Sequence, residues 1–231
     1  MHKLNRGLVE APPCLSNYDH TTHEWSDFGG GCKRRLRLAL QSMQGEKILA
    51  DDADDCEESI SGLRCAYCEA QIFHGGHIEH FRRKNKAHFP ELMFSWTNLF
   101  IACGSLEHCG HYKDRRGSFY DPDELIKPDE HDPDEYLYFH SSGEVRVRER
   151  TPKVQAEERR AAETIRVFNL NAGSLRGKRK SAVDRYRNPE DLEEIMSWTD
   201  EDRALYIQQE IDETQWLPFS TTIRHFFEKL K

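Results

Sequence analysis

Four of the seven cysteines in this chain sit close together, as Cys65-Ala66-Tyr67-Cys68 followed by Cys103 and Cys109. No other feature constrains the fold as much. A Cys-x-x-Cys turn presents two thiolates on one side of a tight loop, and a second pair must come to meet it if the four are to close a tetrahedron. The gap from Cys103 to Cys109 is longer than in the usual second pair, and a longer loop still permits convergence. Seven is an odd count for a disulfide framework, and in a reducing compartment paired cysteines read better as metal ligands. Thiolate is the soft ligand that zinc favours, and four of them leave no open position. A structural Zn2+ that contributes to folding and does no chemistry is therefore expected. His108 is a substitute ligand. Cys14, Cys32 and Cys56 are left over and are expected to be free thiols, packed as small apolar groups.

Harder ligands lie between the thiol pairs. Glu79-His80 follows the turn signal Gly75-Gly76, and Asn98-Leu99 precedes Cys103. Near neutrality an imidazole accepts a proton from water, which makes His80 the candidate general base. Glu79 offers carboxylate oxygen to Mg2+ or Mn2+. Asn98 adds a carbonyl oxygen to that metal or orients His80, and His111 supplies another ligand. Such a cation neutralises charge on a scissile phosphate and stabilises the leaving oxygen. Arg82, Arg83 and Lys84 follow directly and are candidates for gripping backbone phosphates. Each residue alone has a plainer reading: a structural histidine, a strand-ending asparagine, a solvated basic face. Their placement between two cysteine pairs is what makes them a site. His77 is the candidate accessory ligand, whereas His74 and His88 fit no role.

The formal net charge of -8 argues against holding nucleic acid by bulk electrostatics alone. The charge is uneven. Lys33 to Arg37, Arg82 to Lys86 and Arg176 to Lys180 are basic, while Asp51 to Glu58 and Asp121 to Glu135 are acidic. A local basic face with an acidic whole suits a subunit that shares phosphate binding with a partner. No apolar run approaches the roughly 20 residues that span a bilayer, so no membrane association is expected. Met1 to Asn17 lacks the apolar stretch of a secretion leader, and a cytoplasmic location follows as the expectation.

The periodicity predicts an irregular arm over 1–31 and a helix from Lys33 to Gln44. The acidic stretch Asp51 to Ser61 reads as an exposed insert, and His77 to Phe81 as extended. Tyr136 to His140, Ser141-Ser142-Gly143 and Glu144 to Arg148 read as a hairpin. Thr151-Pro152 and Asn188-Pro189 read as helix starts, with proline in the first turn. Thr199 with Asp202 resembles a capping box, and Thr221 to Leu230 makes a final short helix. The class expected is α+β, a small mixed metal module followed by a mainly helical half.

At these residues the chain resembles the HNH nucleases, through Cys65, Cys68, Glu79, His80, Asn98, Leu99, Cys103, Cys109, His111 and Lys113. The likeness narrows to the PtuB-type HNH subunits of Septu and retron-associated phage defence, through Ile78 to Arg82, Trp96 to Leu99, Lys3-Leu4 with Pro12-Pro13, and Phe168 to Asn171. In the broad family pattern a histidine directly follows the last cysteine. Here Gly110 stands there and His111 comes one later. The resemblance implies a ββα-metal module over 63–120, with an arm, helix and acidic insert over 1–62. Residues 121–231 would be a hairpin and helical region that binds the partner. It implies a DNA endonuclease with His80 as base and with Glu79, Asn98 and His111 as ligands or orienting groups. Lys113 joins the phosphate contacts. The implied partners are a PtuA-type ATPase and, in some systems, a retron reverse transcriptase with its RNA–DNA product. A ribonuclease effector cleaving host transfer RNA and a zinc assembly module without catalysis are the competing functions.

Overall fold

The computed structural model describes residues 1–48, 59–73, 76–152 and 154–231. Most of the acidic insert (51–58), Cys56, His74 and Gly75 lie outside them. The chain is α+β: among the described residues, helices combine with three small two-stranded antiparallel sheets. The first helix, α1 (Gly30–Gln44), begins slightly earlier than its apolar period indicates. It buries Leu36, Leu40 and Met43 against the rest of the first half. Strand β1 (Glu46–Ile48) pairs with β2 (Ser59–Ser61), so the end of the expected insert is strand. Strand β3 (His77–His80) pairs with β4 (Leu99–Ala102), with His80 opposite Leu99 and Glu79 opposite Phe100. β4 is buried on both faces. One face is covered by α1, whose last residue, Gln44, acts as a missing strand. Its side-chain nitrogen donates to the carbonyls of Arg64 and Ile101, and its oxygen accepts from Ile101 N at 2.7 Å. These bonds satisfy backbone groups that burial would otherwise leave unpaired.

A five-residue helix, α2 (Cys109–Lys113), follows the hairpin. Strands β5 (Leu137–Phe139) and β6 (Val145–Val147) form the expected hairpin, with Gly143 at φ +85° in its turn. Helix α3 (Gln155–Val167) starts later than Pro152 indicates, with Val154 as its cap. Helix α4 (Gly173–Asp184) was not legible, because its face alternates glycine and charge around Leu175 and Val183. Helices α5 (Pro189–Ser197) and α6 (Asp200–Thr214) start at the expected caps. Asn188 accepts from Glu190 N, and Thr199 accepts from Asp202 N. Helix α7 (Ser220–Phe227) closes the chain. Val183, Ile207, Ile223 and Phe227 make a second, smaller apolar cluster among α4, α6 and α7.

The N-terminal arm clamps the module. Arg6 donates to Asp129, to Trp96 O at 2.7 Å and to Leu99 O at 3.0 Å, and lies over the Trp96 and Phe100 rings. Cys14 and Cys32 are not free thiols: they form a disulfide that ties the arm to the start of α1. Their separation of 18 residues matches no local motif, so only tertiary proximity reveals the pair. The Phe168-Asn169-Leu170-Asn171 run is a packing corner. Tyr67 stacks on Phe168 at 4.3 Å, and the Asn171 amide bonds both backbone groups of Val145. No helix among the described residues is long and apolar enough to cross a membrane.

Candidate functional site

The four sequence-predicted thiols converge. Cys65 Sγ lies 3.7 Å from Cys109 Sγ, and Cys68 Sγ lies 3.9 Å from Cys103 Sγ. All four sulfurs are within 4.8 Å of one another. A regular tetrahedron with metal–sulfur bonds of about 2.3 Å has edges of about 3.8 Å, so the spacing fits Zn2+. The backbone builds this clasp. Cys65 N donates to Ala70 O, and Ala66 N donates to Ile101 O, pinning the Cys-x-x-Cys turn to β4. Cys109 sits at φ +63° and donates its N–H to Phe168 O. Burial pushes the Cys68 and Cys109 thiols up, so a deprotonated cluster here requires a cation. His108 is not one of the four ligands. Its Nδ1 lies 3.2 Å from Cys109 Sγ and 3.6 Å from Cys103 Sγ, beside the cluster.

The harder groups are arranged differently from the sequence reading. Successive strand residues face opposite sides, and β3 divides Glu79 from His80 accordingly. On one side, Glu79 Oε2 meets His77 Nε2 at 3.0 Å and Glu79 Oε1 meets Lys113 Nζ at 3.1 Å. The carboxylate lies over Gly110, where a Cβ would overlap it. With Glu79 placed there, only glycine fits at position 110. Burial pushes the Glu79 carboxyl up, but Lys113 and His77 outweigh it and bring it down to about 2.

On the other side, His80 is 5 % exposed, beneath Trp25 at 4.4 Å edge-to-face. Its Nε2 donates to Met93 O at 3.0 Å, which leaves Nδ1 unprotonated and 3.5 Å from Lys84 Nζ. Burial and the Lys84 charge push its pKa down to about 3. Trp25 and Met93 are site residues that carried no sequence signal, since neither the arm nor the loop is periodic.

Several expected roles are corrected by the geometry. The Asn98 amide is occupied by backbone: Oδ1 accepts from Arg82 N at 2.7 Å, and Nδ2 donates to Arg82 O and Leu92 O. It therefore fastens the loop after β3 and neither ligates a metal nor orients the imidazole. Lys113 is fully buried, and Nζ contacts Glu79, Asp114 Oδ1, His80 O and Tyr120 OH, so it cannot serve as a phosphate contact. Arg82 pairs with Asp123, and Arg83 with Asp114 and Lys113 O, so both guanidiniums are already engaged within the chain. Of the phosphate candidates only Lys84 faces His80. His111 is exposed and stacks on His77 at 4.3 Å. Among the described residues only the four cysteines gather three or more metal-ligating groups at one point. His77, expected as an accessory ligand, is the direct partner of Glu79 through Nε2.

Acidification is expected to destabilise the fold in two overlapping windows. The unfolded His80 takes up a proton as pH falls through 6.5, and the folded one only near 3, so stability declines across that range. Glu79 adds a decline from 4.5 to about 2. The His80 contribution is on the order of 4 kcal/mol at full extent. Urea unfolding of zinc-loaded protein between about pH 7 and 5 should show a slope approaching one proton. The slope should flatten in His80→Asn.

No protein-family model matches the chain, and no curated protein matches it.

Proposed function

We propose that this chain is an HNH-type, metal-dependent endonuclease subunit of an antiphage complex, with His80 as general base. The carrying observation is the tautomer of His80: a buried imidazole whose Nε2 is fixed on the Met93 carbonyl, which leaves Nδ1 as the acceptor nitrogen facing Lys84. A base needs its lone pair held in one place, and a substrate phosphate that took up Lys84 would remove the charge that helps to lower this pKa. The order of a hairpin, β3–β4, followed by the short α2 on a four-sulfur clasp supports the ββα-metal reading. So does Asn98 fastening the loop that carries the basic run.

In this reading a substrate phosphate pairs with Lys84 and draws its ammonium off Nδ1. Water takes that place, gives one proton to Nδ1 and attacks phosphorus as the bond from phosphorus to the leaving ester oxygen breaks, and that oxygen departs with a proton from solvent. Glu79, His77 and His111 would hold a divalent ion. Their fit is one of donor type: His77 Nδ1 is buried with no hydrogen-bond partner, and imidazole with carboxylate suits Mn2+ better than Mg2+. When bound, that ion would neutralise charge on the phosphate and the leaving oxygen. The acidic chain then works with a PtuA-type ATPase, and in a retron setting with a reverse transcriptase and its RNA–DNA product. DNA is the substrate in the leading reading; host transfer RNA is the alternative at the same centre.

The test is purified protein, with and without a co-expressed ATPase, incubated with plasmid DNA and total transfer RNA in Mg2+ or Mn2+. His80→Ala should lower cleavage by about 10²- to 10⁴-fold while zinc content is unchanged and the protein still unfolds cooperatively, at a lower temperature because a buried side chain is lost. A zinc-bearing assembly module without catalysis is favoured by one observation, the capture of the expected ligands within the fold: the Asn98 amide by the backbone of Arg82 and Leu92, and Glu79 by Lys113. Under that reading no nucleic acid is cut, and His80→Ala leaves partner binding and defence intact.

A further inference from the structure

A cleft of about 390 Å³ opens beside the loop after β3, lined by Arg83, His88, Phe89, Tyr120 and Pro122. Two of its walls are aromatic rings backed by planar cations. The Arg82 guanidinium lies 5.2 Å over the Phe89 ring, and the Arg83 guanidinium lies 4.6 Å over the Tyr120 ring. Both arginines are held in place, Arg82 by Asp123 and Arg83 by Asp114 and the Lys113 carbonyl. His88 and Asp121 supply polar edges. The cleft reaches the catalytic cluster through two contacts, Tyr120 OH to Lys113 Nζ at 3.2 Å and Lys113 Nζ to Glu79 at 3.1 Å.

We propose that this cleft receives an unpaired nucleobase next to the scissile phosphate, so that the substrate is nucleic acid with a single-stranded segment at the cut. The proposal rests on the nuclease reading. Every base offers a π-face, and stacking on aromatic rings that are already backed by guanidiniums recognises it without reading sequence. A base within a duplex is already stacked and cannot enter. With a net charge of -8, the chain has little bulk attraction for phosphates, so stacking must supply much of the affinity.

The experiment measures binding of fluorescein-labelled oligothymidylate, oligouridylate and a duplex of equal length to the His80→Ala protein. It is run at low salt without added divalent metal. Single strands should bind on the order of tenfold tighter than the duplex, and Phe89→Ala should lose on the order of tenfold. Phe89→Trp should retain binding. His88→Ala, at an exposed position, should weaken it by a smaller factor. Zinc content and thermal melt establish that each variant is folded. Preference for oligouridylate over oligothymidylate would mark RNA as the bound strand. Equal affinity for duplex, or unchanged binding in folded Phe89→Ala, overturns the proposal. If the wild-type protein cuts duplex at a rate that Phe89→Ala does not alter, the proposal fails and the nuclease reading stands. Failure of the complex to cut any nucleic acid overturns the nuclease reading itself, and binding to none of the three oligonucleotides overturns both.

Discussion

Cys109→Ser is expected to yield a chain that neither retains zinc nor folds cooperatively. Cys109 holds the clasp together from two directions. Its sulfur lies 3.7 Å from Cys65 Sγ, and its backbone, at φ +63°, opens α2 and bonds Phe168 O. A structural zinc in such a site contributes about 10–16 kcal/mol of apparent folding free energy, comparable to the ~5–15 kcal/mol net stability of a typical domain. Losing one thiolate removes most of that contribution and leaves three thiols, two of them buried, with no cation. Metal analysis of the purified variant should show loss of bound zinc, and circular dichroism should show no cooperative melt. A strong chelator should reproduce the effect in the wild-type chain. A variant that keeps full zinc and its melt would contradict this. It would point to His108, which already lies against the cluster, moving in as a fourth ligand; Cys109→Ser/His108→Ala would then abolish binding.

Lys113→Met is expected to destabilise the protein by about 3–5 kcal/mol without altering zinc content. Lys113 is fully buried, and its ammonium lies among the Glu79 carboxylate, Asp114, the His80 carbonyl and the Tyr120 hydroxyl. Methionine keeps the volume and removes the charge. Glu79 would then be a buried carboxylate balanced by His77 alone, and its pKa would rise from about 2. Urea unfolding at neutral pH measures the loss. Glu79→Gln in the same background should recover part of it, because the uncompensated charge is gone; coupled neighbours of this kind show interaction energies of about 0.5–3 kcal/mol. A change below about 1 kcal/mol, typical of exposed ion pairs, would mean that Lys113 is not the counter-ion of Glu79 in solution.

The sulfur cluster was legible because a Cys-x-x-Cys turn sets two soft ligands side by side locally, and a second cysteine pair stood within reach to complete four. The hairpin after Tyr136 and the helices from Pro189 and Thr199 were legible for another reason. Turn and cap chemistry is local, as the Thr199–Asp202 bonds illustrate. Proline was a poorer guide at Pro152, where the helix starts only at Gln155. The disulfide between Cys14 and Cys32 and the helix at Gly173 carried no comparable local signal.

The candidate site divides along the same line. Residue type and spacing by themselves determined that the four thiols meet, and made the carboxylate and the imidazole between them candidates for a site. Only the tertiary structure decided what each does there. Strand alternation put Glu79 and His80 on opposite sides of β3, burial turned Lys113 from a phosphate contact into the counter-ion of Glu79, and Asn98 was claimed by the backbone of Arg82 and Leu92. Sequence specifies which donors and acceptors exist. Which of them meet is settled by long-range packing, because a buried polar group must take whatever partner the folded chain brings within reach.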